Sequence, residues 1–477
     1  MNRRRVIAPH PMHRLSSLLV TGAIGALAAC ATPPLPERAR GITPPAHWSD
    51  STLEADSSLS VTWWQAFGDP LLTDLVMRAL AANTDVRTAQ ARLRQASAAR
   101  EQALAVLRPS LILSGLSQRT GTPGTGASNL VQSSVEAGWD LDLFGGGRRS
   151  AEATRSDLEA SDATVAATRT AVAAEVAIGY VQLRGSQARL GIARDSLAAQ
   201  RQTLEITQWR AQVGLTSSVD VEQSRAQVAQ LQAQVAPLEA AIAQAGDALS
   251  VLTGEPPLVL HARLDAVVAI PQPPAALTLA IPAETLRHRP DVRAAELAVD
   301  AAAARVAQSS ASQMPSFLLR SSLAWSAVSI GSLGGTAQRA LGGSTNLPLF
   351  DGGVRRAQLH SQQAQFDAAQ VALDATVLAA LQEVEDLLAG IAASRSRLDA
   401  LRVAAEAASN AALLASHRYA GGLADFQIVL ETQRSLLAAQ DGVAATQADL
   451  AAGHVRLYKA LGGGWTRAPA DTQEKRS

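Results

Sequence analysis

Residues 131–144, VQSSVEAGWDLDLF, alternate along their whole length. Val131, Val135, Ala137, Trp139, Leu141 and Leu143 fall on one side of an extended chain, and Gln132, Ser134, Glu136, Asp140 and Asp142 fall on the other. Period-two alternation is the signature of a strand with one apolar and one wet face. The run is longer than a typical globular strand but suits a tilted strand crossing a membrane with a margin at each end. Upstream, Pro109 ends a helical pattern that starts at Asp69-Pro70, with Asp69 as N-cap and Pro70 at the first helical position. Residues 111–118 read as the partner strand and 119–129 (RTGTPGTGASN) as an exposed loop. Downstream, Gly145-Gly146-Gly147 turns the strand into helix. No Lys-Ser/Thr follows, so these glycines are not a phosphate loop.

The helix predicted from 151 to 212 carries Val176, Leu183, Leu190, Leu197 and Leu204 in sevens. At ~1.5 Å per residue it would be roughly 93 Å long. Gly214 marks a turn, Ser217 or Ser218 caps the next helix, and heptads continue to Leu252 through an internal Pro237.

The plan then repeats. Asp85-Val86-Arg87 returns as Asp291-Val292-Arg293, Pro109-Ser110 as Pro315-Ser316, and Leu143-Phe144 as Leu349-Phe350, each 206 residues on. Further along the offset is 208, mapping Val221, Val228 and Val235 onto Val429, Leu436 and Val443. A unit of that length is a duplicated domain rather than a solenoid repeat. The second copy predicts a strand over 317–326, with Phe317, Leu319, Leu323 and Trp325 on one face and Arg320, Ser322 and Ser326 on the other. A further strand ends at Phe350, and long helices run to about Leu461. The expected divisions are a signal peptide (1–29), an anchored linker (30–62), a first repeat (63–254), a Pro-rich junction (255–281), a second repeat (282–465) and a disordered tail (466–477).

Composition narrows the class. Charge is balanced at 42 basic and 42 acidic residues, which gives no reason to expect nucleic acid. Aromatics are only 3% of the chain, yet Trp139, Phe144, Phe317, Trp325 and Phe350 gather in the strand segments, as interfacial rings would. The eight histidines show no metal-ligand spacing, and one cysteine forms no intramolecular disulfide. We find no nucleophile–base pair, cofactor motif or metal cluster; an enzyme is not expected. The lone Cys30 closes a Leu27-Ala28-Ala29-Cys30 box. Arg3, Arg4, Arg5 and Arg14 precede it, with a short apolar run over 15–27. That is the layout of a bacterial lipoprotein signal, with Cys30 as the lipid attachment site and export as the consequence.

Four strands cannot close a membrane barrel, and open edges are not tolerated in hydrocarbon. Barrels need about eight strands or more, so several copies of the chain must share one barrel: a dimer would close a plugged barrel, and a trimer would give about twelve strands and room for a lumen. Its lumen would be lined by Glu136, Asp140, Asp142 and Arg320, and its lipid face by Trp139, Phe317, Leu319, Leu323 and Trp325. The expected fold is thus mainly α with a small membrane β-barrel, built from a duplicated helix-strand-strand-helix unit.

Three stretches add a resemblance: residues 63–70 (WWQAFGDP), 286–296 (LRHRPDVRAAE) and 457–465 (LYKALGGGW). With them the chain resembles TolC/OprM-type outer membrane efflux proteins, in the lipoprotein branch known as NodT, over nearly everything after Cys30. The resemblance implies a homotrimer, a long α-barrel, an equatorial belt and a lipid anchor. It implies docking to a periplasmic adaptor (membrane fusion protein) and an inner-membrane pump of the resistance-nodulation-division (RND) class. It also places a periplasmic gate at Glu431, with Gln427 one turn earlier. Gln427 stands where OprM-like members carry an apolar residue, and Ile428 stands where TolC has its second acid. The function implied is a passive exit duct for small molecules. Type I protein secretion is the alternative within the channel class, and a non-pore periplasmic coiled-coil scaffold the alternative outside it.

Overall fold

The computed structural model describes residues 34–37, 42, 62–122, 124, 126–273, 289–332 and 337–463. Cys30 and the residues after Gly463 lie outside the described residues. A short 3₁₀ turn, Trp63–Phe67, leads into α1 (Pro70–Ala82), α2 (Thr84–Ala105), β1 (Ser110–Thr122), β2 (Gly126–Asp140), α3 (Gly146–Gln212) and α4 (Ser218–Leu252). A single turn, α5 (His261–Leu264), precedes the second copy: α6 (Pro290–Ala311), β3 (Ser316–Ala327), β4 (Ala337–Asn346), α7 (Val354–Ala420) and α8 (Phe426–Ala460). The duplication is carried into helix length. Both α3 and α7 have 67 residues, and both α4 and α8 have 35.

Four expected boundaries move. The helix expected to run unbroken from Pro70 is divided at Asn83, whose side-chain oxygen accepts from the backbone N–H groups of Asp85 (2.8 Å) and Val86 (3.3 Å) and so starts a second helix. The loop expected over 119–129 is mostly strand: Arg119 pairs with Asn129 and Thr122 with Gly126, leaving a tight hairpin. Conversely, β2 stops at Asp140 and β4 at Asn346, short of Phe144 and Phe350.

Among the described residues two compact units form, and each is described by itself. One draws on 94–160 and 295–373, the other on the described parts of 42–93, 161–294 and 374–477. The first holds the sheet, antiparallel throughout in the order β1-β2-β3-β4. Beside it Val299, Ala302, Ala303 and Val306 of α6 pack on Phe366 of α7, and Arg305 pairs with Asp157 of α3 at 2.5 Å.

The second unit's core draws on aromatics outside the strands. Trp63, Trp64, Phe67, Tyr180 and Tyr458 join Leu72, Leu75, Val76 and Leu249 in it, and Trp63 stacks on Tyr458 with ring centroids 5.3 Å apart. Asp69 caps α1 as expected, accepting from Leu71 N (2.8 Å) and Leu72 N (3.0 Å), while its other oxygen accepts from the Tyr180 hydroxyl at 2.7 Å. Burial, reinforced by Asp69, pushes the Tyr180 hydroxyl up to about 12, which keeps it a donor. Alanine and glycine let α3 and α8 approach closely: a Cβ on Gly185 would lie 2.8 Å from that of Ala448. Arg289, from the LRHRPDVR stretch, donates to Asp291, Glu383 and the Ala460 carbonyl, tying the start of α6 to α7 and the end of α8. Burial opposes the Asp291 charge, but the Arg289 bonds outweigh it and hold that carboxyl below its ordinary range.

Candidate functional site

Register assigns every strand residue to a face. Trp139 is opposite Leu319, Val135 opposite Leu323, and Ser133 opposite Trp325, so Trp139, Phe317, Leu319, Leu323 and Trp325 share one side of the sheet. Leu111 and Leu113 of β1 and Leu341 of β4 join them and are about three-quarters exposed. A free sheet face with that much uncovered apolar surface is not stable in water. The Trp139 indole N–H donates to the Leu107 carbonyl at 3.0 Å, which satisfies its polar edge.

The opposite side carries Glu136, Asp140 and Arg320. Arg320 faces Gly138, so it lies diagonal to both acids. These three line an open concavity of about 630 Å³ together with Arg108, Ser110 and Ser322. Ile112 and Leu116 of β1 lie on this side too, so the two acids, Glu136 and Asp140, distinguish it from the other face more sharply than hydropathy does.

Asp142 does not join them. The strand ends two residues earlier, and the Asp142 carboxylate accepts from the backbone N–H groups of Gly147 and Arg148, both at 2.9 Å, opening α3. Asp351 does the same for α7, accepting from Gly353 N at 2.9 Å and Arg355 N at 3.2 Å. The alternation that suggested a strand face here continues past the last ladder bond, and the carboxylate is used at a helix N-terminus instead.

The gate candidates lie just past the α7–α8 turn. Both helix pairs turn alike: Gly214 and Gly422 take positive φ (76° and 73°), Leu215 N donates to Arg210 O, and Leu423 N donates to Arg418 O. Ser217 caps α4 in a capping box with Asp220, whereas Asp425 caps α8 without a side-chain bond. Side chains join the two turns. The Arg210 guanidinium lies 4.5 Å over the Tyr419 ring and donates to the Tyr419 carbonyl; Thr207 and Tyr419 share a hydroxyl bond of 3.1 Å. Gln427 Nε2 donates to Gln223 Oε1 at 2.6 Å, and Arg434 donates to Gln227 Oε1 at 2.7 and 2.9 Å. Gln427 and Glu431 are exposed.

Sequence reasoning named Gln427 but missed Arg210, Tyr419, Gln223 and Arg434. The 208-residue offset held the signal, since Gln223 occupies the position equivalent to Glu431 and Arg210 that of Arg418. It missed also that the buried positions on the α3–α4 side of these turns are polar (Gln200, Thr203, Thr207, Ser224 and Gln227), whereas Ala415, Tyr419, Phe426, Val429 and Leu430 form an apolar cluster on the α7–α8 side. Among the described residues, no three His, Cys, Asp or Glu side chains gather where they could hold a metal ion.

Comparison with known proteins agrees with this geometry. Residues 75–255 and 281–463 each match the family described as outer membrane efflux protein, and the starts of the two matches differ by the 206 residues of the internal repeat. The chain is 30% identical over 487 residues to the toluene efflux pump outer membrane protein TtgC of Pseudomonas putida, covering 97% of this chain and 98% of that one. It is 30% identical over 435 residues to nodulation protein T of Rhizobium leguminosarum bv. viciae, covering 90% of each. Its fold matches the solved outer-membrane channel OprN with a TM-score of 0.84 at 31% identity, covering 92% of this chain and all of that one.

Proposed function

The chain belongs to the outer membrane efflux protein family, and on that premise we propose that it is the outer membrane channel of a tripartite efflux system. One observation carries the reading: a four-stranded antiparallel sheet with an exposed apolar face and two unpaired edges, β1 and β4. In hydrocarbon each unpaired backbone group costs several kcal/mol, so the edges must be closed by further copies of the chain. Leu349 and Phe350, each 91% exposed just beyond β4, offer apolar surface for a neighbouring copy to cover. Three chains give about twelve strands and a water-filled lumen, which two would not. Glu136, Asp140 and Arg320 then line that lumen, and the Trp139 and Leu323 side faces lipid. Cys30 carries the lipid anchor. The duct is passive, without catalytic machinery. A periplasmic adaptor opens it, and an inner-membrane pump of the RND class supplies the energy and chooses the cargo.

At the α7–α8 turn, three copies of Glu431 form an acidic ring at the periplasmic entrance, with Gln427 one helical turn away. Single-channel recording of the purified protein in planar bilayers tests both levels of this reading. Cation-selective conductance blocked by a multivalent cation is expected, with block weakened several-fold in Glu431→Ala. Unchanged block in that variant would move the constriction elsewhere, and absence of conductance from a folded oligomer even with its adaptor bound would overturn the channel itself.

A further inference from the structure

The sheet's apolar side carries two charges. Register puts Arg119 of β1 on the side of Leu111 and Leu113, and Arg339 of β4, opposite Leu323, on the side of Trp325 and Leu341. Both are exposed, and neither forms an ion pair with a described residue. Arginine on the lipid side of a barrel costs ~2–4 kcal/mol at the bilayer midplane and little near the interface. Their placement fits the cheap position. Arg119 lies three residues from the end of β1 at Thr122 and Arg339 two residues from the start of β4 at Ala337, so both stand at the end of the sheet where the β1–β2 and β3–β4 hairpins turn. Trp325, diagonal to Arg339 on the same side, is the residue type that marks a membrane–water interface.

Arg119 and Arg339 sit on the two edge strands. Resting on the shared-barrel reading above, closure places β4 of one copy beside β1 of the next, ~5 Å away and antiparallel to it, with the outward side preserved. Arg339 of one chain and Arg119 of the next then converge at each seam, at the height of the hairpins. These hairpins are the short connections; the opposite end of the sheet leads into α3 and α7, which the proposed function directs to the periplasm. The paired arginines therefore face the outer leaflet.

We propose that each seam of the barrel is a binding site for the phosphate of an anionic outer-leaflet lipid, clamped between Arg339 of one chain and Arg119 of its neighbour. Guanidinium groups bind phosphate through paired charge-assisted hydrogen bonds. The flanking apolar surface of Leu341, Leu323 and Trp325 accommodates acyl chains. The lipid would thus cover the seam between copies and neutralise charge that the barrel otherwise leaves in the interface.

Native mass spectrometry of the detergent-purified oligomer tests this. Bisphosphorylated lipid A is the probe, with dephosphorylated lipid A and inorganic phosphate as comparison arms. The wild-type trimer should retain bisphosphorylated lipid A. Arg119→Ser with Arg339→Ser should weaken retention ~10-fold or more, the lysine pair should keep part of it, and Arg320→Ser on the opposite side should leave it unchanged. Equal retention by the double serine variant, or of the dephosphorylated lipid, would overturn the site. Displacement by millimolar inorganic phosphate would assign it to free anion rather than lipid. The same spectra report the mass of the assembly. A monomer overturns the shared barrel and the seam with it, whereas an intact trimer with undiminished lipid retention overturns the lipid site alone.

Discussion

Asp69 serves two partners with one carboxylate, closing the first turn of α1 and accepting from the buried Tyr180 hydroxyl. Asp69→Ala should therefore cost more than a surface cap, about 2 kcal/mol or above, since the phenol is left without its acceptor. The thermal midpoint of the purified protein, beside that of Asp69→Ala in a Tyr180→Phe background, reads this; full additivity would mean that the two groups act independently. His454 is almost fully buried, with Nδ1 2.7 Å from the Leu450 carbonyl and Nε2 3.2 Å from Arg395. Burial lowers its pKa below the ordinary 6.5, opposed by the Leu450 bond and helped by the Arg395 charge. A lowered histidine binds its proton more weakly folded than unfolded, so its contribution is present above 6.5 and is lost as pH falls below it. The denaturation midpoint should decline on acidification through that window and decline less in His454→Gln. Residue roles were legible where one local rule decides them, as with Pro70 following Asp69. Asp142 was misread because two rules compete: the same carboxylate extends a period-two pattern and precedes a glycine-rich helix start.

On the α3–α4 side the buried positions nearest the turns are hydroxyls and amides, facing an apolar cluster at the α7–α8 turn, and Gln427–Gln223 and Arg434–Gln227 are among the polar links between them. Polar contacts of this kind fix register at a cost in stability, so these helix ends are easier to part than an all-leucine seam. Each such bond is worth ~1 kcal/mol net. Gln427→Ala with Arg434→Ala should then shift a closed–open equilibrium ~10-fold or more toward open, read as the fraction of time at high conductance in single-channel records. An unaltered open fraction would mean that these bonds do not restrain the turn. The heptads announced the helices but not this seam. Val221 and Val228 mark the apolar stripe of α4, yet Ser224 and Gln227 are its more deeply buried residues. Periodicity shows where a helix is apolar; which stripe is covered within one chain and which remains for another copy is a property of assembly.

The whole molecule was legible in outline because a duplication states its architecture twice. Repeat spacing, strand alternation and the glycine turns each fixed a different part of it. Strand facing can be tested directly. Leu341→Lys, opposite Ser321 and further from the hairpins than Arg339, places a charge on the apolar side and should cost ~2–4 kcal/mol, seen as loss of trimer from the membrane fraction, whereas Ser322→Lys on the concave side should assemble nearly as well as the parent. Equal loss in both would mean that the sheet does not meet lipid on its Leu323 side. The contact of Arg210 with Tyr419 has a consequence for how such a chain could have arisen. Arg210 has a counterpart in Arg418, but the residue equivalent to Tyr419 is Ala211, so the second half cannot return the grip it receives. A ring of six identical halves would have had one kind of seam, obliged to tighten or loosen everywhere at once. Fusing two halves and letting one aromatic diverge lets joints within a chain and joints between chains differ in strength, so that alternate joints can yield while the rest hold.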